Sequence, residues 1–247
     1  MHFFSSKLFL TTILAIGIIA IITVKPVSGQ DEGTERIRIE NANTLKYTEV
    51  GGRKVRKLIG DVKFKQKGVT MDCDSAYQYE QENLIKAYGN ILINQGDSLH
   101  LTGKFLRYSG ITRKAIIKRN VKLKEKTEDV TLTTDTLHYE MNESRAYYKN
   151  GGEIQDSVNR LTSIKGFYST KDKRFTFQDS VRLFNPDYTI YSDTLQYHTP
   201  TEKAYFYGPT EIISDSNYLY CENGWYDTKN NLARFGKNAF LRSGDKR

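Results

Sequence analysis

A phrase of about 29 residues recurs along the chain and constrains its fold more than any other feature. SDTLQYHTPTEKAYFYG at 192–208 is echoed upstream by TDTLHYEMNESRAYYKN at 134–150. The tyrosine in the middle of the phrase returns every 29 to 31 residues, as Tyr79, Tyr108, Tyr139, Tyr168, Tyr197 and Tyr226. A divergent copy, NTLKY at 43–47, precedes them. The sequence therefore predicts about six and a half copies of one structural unit, each of which buries its apolar face against its neighbours.

Within each unit the apolar residues alternate with polar ones, which is typical of half-buried strands. Phe175, Phe177 and Val181 share one parity and define one long strand per unit. The second strand leads into the tyrosine. Its apolar residues Ile190 and Leu195 are five residues apart, an odd number, so in a regular strand they would lie on opposite faces. A one-residue bulge at the intervening Ser-Asp, Thr-Asp or Gly-Lys would restore a single apolar face. Turn segments such as HTPTEK and EMNESR separate the strands, so the sequence predicts an all-β antiparallel stack.

Residues 1–29 are predicted to be a secretory signal peptide. A lysine precedes an apolar run at 8–24, and Val27 and Gly29 provide the small side chains of a cleavage site. We expect export, with cleavage after Gly29, and a single repeat domain over residues 30–247. The run of 17 apolar residues is barely long enough to cross a bilayer, so a retained inner-membrane anchor formed by that run is the alternative.

Four recurring phrases carry a resemblance to a known family. GNI at 89–91, RNV at 119–121, SDTLQY at 192–197 and KAYFYG at 203–208 resemble the OstA-like (organic solvent tolerance) domain of LptA-type lipopolysaccharide-transport proteins, over about residues 36–242. The resemblance implies an elongated, twisted antiparallel β-jellyroll, shaped like a half-open sleeve, in the periplasm. It also implies a non-enzymatic role in which the apolar interior carries the acyl chains of lipopolysaccharide towards the outer membrane. The chain would be the periplasmic bridge or its inner-membrane-anchored relative.

A column of small residues suggests where acyl chains would lie. Seven or eight residues after each tyrosine, alanine occurs in five of the six units. Alanine leaves volume that a core packed at a density of ~0.74 would fill, which favours an open apolar trough. The predicted lipid-binding residues that line this trough are Ala87, Ile91, Ala115, Ile117, Val121, Ala146, Phe175, Phe177, Val181, Leu195, Ala204 and Phe206. A closed core is the alternative for each of them.

Basic residues recur once per unit, in a chain with a formal net charge of +8. They are Lys86, Lys114, Arg145, Arg174 and Lys203. Each directly precedes an inward residue, so alternation turns it outward to a solvated face. The phosphates of lipid A are the alternative partners of this column. Nucleic acid is not predicted as a partner, because no aromatic-lined basic groove is evident in an exported chain.

No catalytic or metal-binding constellation is recognisable, so we predict no enzyme, no metal and no cofactor. His100, His138 and His198 fall at different positions of different units, where we expect surface residues, and HExxH and GxSxG do not occur. The residues four places before each tyrosine are Ser75, Lys104, Asp135, Ile164, Asp193 and Glu222. Lysine and isoleucine interrupt any carboxylate ladder, so these residues are predicted to cap bulges and turns. Cys73 and Cys221 belong to the first and sixth units, too far apart for a disulfide, and are predicted to be independent buried thiols.

The ends of the repeat stack predict how the protein meets its partners. Residues 232–242 supply the first strand of a seventh unit without a partner strand, so their backbone N–H and C=O groups would remain unpaired. Strand addition to residues 36–47 of the next molecule predicts end-to-end assembly with other lipopolysaccharide-transport proteins or with a second copy. The alternative function is a secreted β-solenoid that binds or cleaves polysaccharide on its outer face.

Overall fold

The computed structural model describes residues 37–66, 69–95, 99–125, 129–215 and 217–244, so the predicted signal peptide lies outside the described residues. These residues fold into 18 strands and two short 3-10 turns. Nowhere in the described ranges is there a helix with the length and apolar character needed to cross a membrane.

The chain divides into two compact units. Of the described residues, the N-terminal unit holds 37–125 and 133–145, and the C-terminal unit holds 129–132 and 146–244. The first strands are β1 (Arg38–Asn41), β2 (Thr44–Val50), β3 (Arg53–Gln66), β4 (Val69–Tyr79), β5 (Leu84–Gln95), β6 (Leu99–Ser109) and β7 (Lys114–Glu125). Two strands have residues in both units, β8 (Val130–Glu140) and β9 (Arg145–Tyr148). The remaining strands are β10 (Gly152–Gln155), β11 (Arg160–Ser163), β12 (Lys165–Ser169), β13 (Arg174–Asn185), β14 (Tyr188–His198), β15 (Lys203–Ser214), β16 (Asn217–Asp227), β17 (Leu232–Gly236) and β18 (Phe240–Ser243).

Consecutive strands pair in antiparallel fashion within each unit. In the N-terminal unit β2 to β7 form a meander in which each strand pairs with the next, and β1 also pairs with β3. In the C-terminal unit β13 to β16 form the same kind of meander, flanked by β11 and β12 on one side and by β17 and β18 on the other. The predicted fold class, an all-β antiparallel jellyroll of repeated strand pairs, is therefore confirmed. The alternative of a β-solenoid with parallel coils is wrong, because these ladders run antiparallel.

A β-bulge interrupts one strand of each long pair, at equivalent positions along the pairs. Asp179 and Ser180 on β13 lie opposite the single residue Asp193 on β14. Both bulge residues adopt a left-handed conformation, with φ of 63° and 53°. The corresponding pairs in other long strands are Gly60 and Asp61, Gly89 and Asn90, Arg119 and Asn120, and Gly208 and Pro209. The bulge predicted at Ser-Asp therefore exists, but its extra residue lies on the partner strand, where Gly, Asn and Asp tolerate a positive φ.

The single residue opposite a bulge caps it. In the N-terminal unit the backbone N–H of Asn90 donates to Asp74 Oδ2 at 3.0 Å. In the C-terminal unit a further bulge, at Lys237 and Asn238, lies between β17 and β18, and Glu222 Oε1 accepts a hydrogen bond from Asn238 Nδ2 at 2.9 Å. The predicted capping role is confirmed at Glu222, whereas in the first unit the cap is Asp74 and the prediction for Ser75 is wrong.

The first unit is offset by one residue from the others, which explains that difference. Tyr197 lies directly opposite Ala204, and Tyr108 and Tyr226 hold the same position in their own hairpins. In β4 the residue at the same distance from the bulge is Gln78, which lies opposite Ile85, and Tyr79 points to the opposite face, where it joins a small buried cluster. The assignments of Tyr79 to the tyrosine column and of Ala87 to the alanine column are therefore wrong, because Ala87 lies opposite Ala76 and Leu106. Tyr79 is eight residues from Ala87, whereas the spacing is seven residues in the other units, and this difference could have revealed the offset.

Candidate functional site

The N-terminal unit has an apolar inner face built from cross-strand rows. One row crosses five strands through Leu58, Ala76, Ala87, Leu106 and Ile117, each directly opposite the next, and all five are buried. A second row lies at the bulges and contains Val62, Cys73, Ile91, Gly103 and Val121, and a third contains Phe64, Met71, Ile93, Leu101 and Leu123. These three rows carry neither a charge nor a hydroxyl group. The face is therefore suited to apolar ligands alone.

The C-terminal unit repeats this arrangement, but its row at the bulges is partly polar. Phe177, Leu195 and Phe206 are direct cross-strand neighbours in an apolar row. At the bulges, Ser192 and Thr210 lie opposite each other with their hydroxyl oxygens 2.8 Å apart. Both residues are buried and also have main-chain carbonyl acceptors within reach. Their hydrogen-bonding groups are therefore satisfied inside the protein.

All twelve predicted lipid-binding residues are buried in these interiors. The N-terminal unit contributes Ala87, Ile91, Ala115, Ile117 and Val121, and the C-terminal unit contributes Ala146, Phe175, Phe177, Val181, Leu195, Ala204 and Phe206. The structure brings Phe177, Leu195 and Phe206 together in one row. The inward orientation that alternation predicts is thus observed, whereas lipid binding by these residues stays a prediction.

The alanine column does not mark empty space. Tyr197 lies directly opposite Ala204, and such cross-strand neighbours have Cβ atoms roughly 4.5–5.5 Å apart, so the tyrosine ring can cover the alanine. Where Phe175 replaces alanine, its ring stacks on Tyr168 with 4.2 Å between centroids. Ala115 and Ala204 are buried opposite tyrosines, so the column by itself does not indicate an open trough. Ala233 differs from the other alanines, because it is exposed on β17.

Sequence reasoning missed a second column of small residues, five positions before the tyrosine position. It includes Cys73, Gly103, Ser163, Ser192 and Cys221, all buried. A Cβ on Gly103 would lie 2.6 Å from Ile117 Cγ2, so a larger side chain does not fit there. The constant spacing to the tyrosine position was the signal that could have revealed this column.

Both cysteines are free and buried. Burial, followed by the negative charges of Asp74 and Asp72, raises the pKa of the Cys73 thiol to about 12. Burial also raises the pKa of Cys221. The prediction of independent buried thiols is confirmed, and both thiols remain protonated and unreactive at neutral pH.

Tyrosine hydroxyls in the C-terminal interior also remain neutral. Burial raises the pKa of Tyr197 to about 12, although a hydrogen bond with Thr228 opposes the shift. Burial and then the charge of Asp227 raise the pKa of Tyr226 to about 12. The Tyr226 hydroxyl donates to Asn231 Oδ1 at 2.8 Å. These phenols therefore provide hydrogen-bonding groups without adding charge at physiological pH.

Members of the predicted basic column pair with carboxylates of the protein itself. Lys114 Nζ lies 2.9 Å from Glu140 Oε1, and Arg145 also binds Glu140. Lys203 Nζ lies 3.4 Å from Asp227 Oδ2. Burial alone would raise the pKa of Glu140, but hydrogen bonds from Lys114 and Arg145 outweigh it and lower the pKa to about 2. These contacts support the interpretation of the column as an outer, solvated face.

The histidines of the described segments lie half-buried, so the prediction of surface positions holds only in part. His198 Nδ1 is 2.8 Å from Thr201 Oγ1, beside the turn that follows β14. Within the described ranges, no group of three or more His, Cys, Asp or Glu side chains could hold a metal ion.

Each unit has a terminal strand with exposed apolar side chains. Leu45 and Tyr47 on β2 are 45% and 73% exposed, and the described pairing of β2 is with β3. Phe240 and Leu241 on β18 are 49% and 45% exposed, and the described pairing of β18 is with β16. Exposed apolar residues clustered on edge strands are typical of sites that pair with another chain.

Comparison with known proteins places the chain in a family. The model of the family described as OstA-like protein matches residues 34–193. No curated protein matches the chain. Among solved structures, the chain is similar to the crystal structure of LptH, the LptA homologous periplasmic component of the conserved lipopolysaccharide transport device from Pseudomonas aeruginosa. The two are 15% identical, with 72% of this chain and 95% of that chain covered and a TM-score of 0.22. Because the family model matches more than half of its length, the chain belongs to the OstA-like protein family.

Proposed function

We propose that this protein is a non-enzymatic periplasmic carrier of lipopolysaccharide, which holds the acyl chains of lipid A against the inner faces of its two units. The observation that carries the proposal is the inner face itself, in which apolar rows cross one strand after another. Membership of the OstA-like family supports the same ligand, since the recurring phrases resemble those of lipopolysaccharide-transport proteins. A continuous apolar face suits a ligand with several acyl chains better than a small polar one.

Lipid must take the place of existing side-chain contacts, because the inner rows are already packed. Leu195 and Phe206 are completely buried, for example. An acyl chain of about a dozen methylenes would contribute roughly 10 kcal/mol on burial, at ~0.8 kcal/mol per methylene. This is enough to offset the separation of a few apolar contacts. Since the rows repeat without one dominant polar contact, a bound chain could pass from row to row.

The exposed edges provide the carrier with its partners. Strand addition at β2 and β18 would join the sheet to a second copy or to another lipopolysaccharide-transport protein. Main-chain hydrogen bonds would supply most of the pairing, so little side-chain specificity is needed. An inner face that continues into the next molecule would keep the acyl chains out of water during transfer.

Photo-crosslinking at adjacent residues of one strand tests the proposed lipid site. Ile190 on β14 is completely buried, whereas its neighbour Tyr191 points outward and is 41% exposed. A photo-reactive amino acid at position 190 should capture lipopolysaccharide, and the same group at position 191 should not. Ile117 and Lys118 form a matched pair in the N-terminal unit, with one side chain buried and the other exposed. Equal capture at the inner and outer position of both pairs would rule out an interior site.

A further inference from the structure

The outer face of the C-terminal unit carries a surface that the proposed carrier function does not use. On β14, β15 and β16 the outward residues Gln196, Tyr205 and Trp225 are direct cross-strand neighbours, and Tyr207 and Asn223 form the next pair along. We call these five residues the outer platform. Their side chains are half-buried or exposed, and none of them carries a charge. The platform therefore combines flat aromatic surface with amide and hydroxyl groups.

The indole of the platform is held in place by a lysine whose charge is already paired. Lys203 Nζ lies 5.3 Å from the centroid of the Trp225 ring and 3.4 Å from Asp227 Oδ2. Asp227 Oδ1 in turn accepts the backbone N–H of Asn230 at 2.9 Å. A cation over an indole is attracted by the ring quadrupole and limits the motion of the ring. A ring that is fixed in advance loses little conformational freedom when a ligand stacks on it.

This surface and the equivalent outward row of the N-terminal unit differ in the number of charged residues they contain. There the outward cross-strand row runs through Lys57, Tyr77, Lys86 and Arg107, three of which are cations. Anionic polymers and anionic bilayer surfaces are attracted to such rows. The row through the outer platform continues on β17 to one exposed cation, Arg234, directly opposite Trp225, and the charge of Lys203 is paired with Asp227. With one cation in its row in place of three, and with polar hydrogen-bonding groups, this surface favours a neutral, hydroxyl-rich ligand over an anionic one.

We propose that the outer platform binds a neutral β-linked glycan strand. A pyranose with equatorial substituents has a flat face of C–H groups that packs on an aromatic ring, as other apolar surfaces do. Its ring hydroxyls pair with amides and hydroxyls in the plane, which Gln196, Tyr207 and Asn223 supply. Neighbouring strands lie roughly 4.8 Å apart, so Tyr205 and Trp225 present adjoining surfaces for consecutive sugars. The site is separate from the inner face and does not depend on lipid binding there.

The only tryptophan of the chain lies in the platform, so its fluorescence reports on this surface alone. Titration of the full-length protein with β-1,4-linked hexamers of N-acetylglucosamine and of glucose should give a saturable change in tryptophan emission. Tyr205→Ala should weaken binding about tenfold, because it removes one of the two stacking surfaces. Gln196→Ala should weaken binding by a smaller factor through the loss of a hydrogen-bonding partner. Tyr191→Ala is the matched control, since Tyr191 is also outward and aromatic but lies off the platform, and it should leave binding unchanged.

Three results would overturn the proposal. The first is no saturable change of emission with either hexamer, and the second is an equal loss of binding in the Tyr191→Ala control. The third is a change of emission with vesicles of anionic phospholipid or with an acidic peptide, but with neither glycan. Circular dichroism identifies a variant that fails to fold, and in that case the Gln196→Ala variant carries the test. Capture of lipopolysaccharide at Ile190 should be unaffected by every platform variant.

Discussion

The N-terminal and C-terminal units share one hairpin design but differ on their outer faces. In the N-terminal unit the outward row contains Lys86 and Arg107, whereas the equivalent region of the C-terminal unit contains Tyr205 and Trp225. Both rows alternate with inward residues that are buried. The outward positions are therefore not constrained by the packing that defines the fold. They are free to adapt each unit to a different surface partner.

The inner faces of the two units differ clearly in the row at the bulges. Val62, Ile91 and Val121 make this row apolar in the N-terminal unit, whereas Ser192 and Thr210 place two hydroxyls there in the C-terminal unit. The adjacent row, through Phe177 and Leu195 in the C-terminal unit and through Leu106 and Ile117 in the N-terminal unit, is apolar in both. The tolerance for hydroxyls at the bulges follows from nearby main-chain carbonyls that accept their hydrogen bonds. The comparison thus separates positions that maintain the fold from positions that can vary.

The largest expected effect concerns the two terminal strands. Deletion of residues 232–247 removes β17 and β18 and should abolish end-to-end assembly, because the edge that adds to the next molecule is lost. Sedimentation velocity over a range of concentrations measures this. Adding the truncated chain to the full-length protein should also shorten the assemblies, since a truncated molecule can end a row but not extend it at that edge. Assemblies of unchanged size in both experiments would contradict strand addition at β18.

Truncation of an inner side chain compares the packing of the two units. Phe206→Ala should lower the free energy of unfolding by about 3–5 kcal/mol, and Ile117→Ala by about 2–5 kcal/mol, because each leaves a cavity in a buried row. Urea denaturation measures both values. Ile213→Ala, at an outward position that is 39% exposed, should change the free energy by less than about 1 kcal/mol. A loss at Phe206 no greater than at Ile213 would show that the C-terminal row is not packed as described.

Exchanging the residues at the bulge row sharpens the contrast between the inner faces. Val121→Thr should destabilise the protein by about 1–3 kcal/mol, because its neighbour in the bulge row, Gly103, lacks the second hydroxyl that Ser192 provides for Thr210. Thr210→Val should cost less than about 1 kcal/mol, since the Ser192 hydroxyl keeps the carbonyl of Thr194 as acceptor. The same denaturation experiment measures both variants. Equal costs would mean that the two bulge rows are interchangeable.

The smallest expected effect is a pH dependence in the N-terminal unit. The pKa of Glu140 is lowered from its ordinary value of 4.5 to about 2 by Lys114 and Arg145. A carboxyl whose pKa is lower in the folded state stabilises the protein above its unfolded pKa, and this stabilisation is lost as the pH falls from 4.5 towards 2. Glu140→Gln should therefore lower the melting temperature at pH 7 and remove part of its decrease in acid. A melting curve with the same pH dependence as the parent protein would exclude this role for Glu140.

Periodicity predicted the strands and their inward faces, because a side chain in a ladder must point to one side or the other. Phe177, Leu195 and Phe206 were identified from alternation alone. The offset of the first unit was missed because Tyr79 and Gln78 are adjacent, and only the pairing with Ile85 separates them. The division into two units and the pairing of alanine with tyrosine across strands depend on contacts between distant residues. A repeat pattern describes each hairpin but not how the inner side chains share space.

The bulges have a consequence for how such a chain can change in length. Each of these bulges places two residues of one strand, at least one of them left-handed, opposite a single residue of the other, as Asp179 and Ser180 lie opposite Asp193. Sliding the strands by a residue would bring an ordinary side chain into a conformation that suits Gly, Asn or Asp, and would separate the cap from its partner. A one-residue change of strand register is therefore unfavourable in each hairpin. A whole repeat, in contrast, brings its own bulge, so inserting or removing one would leave the register of the remaining hairpins unchanged.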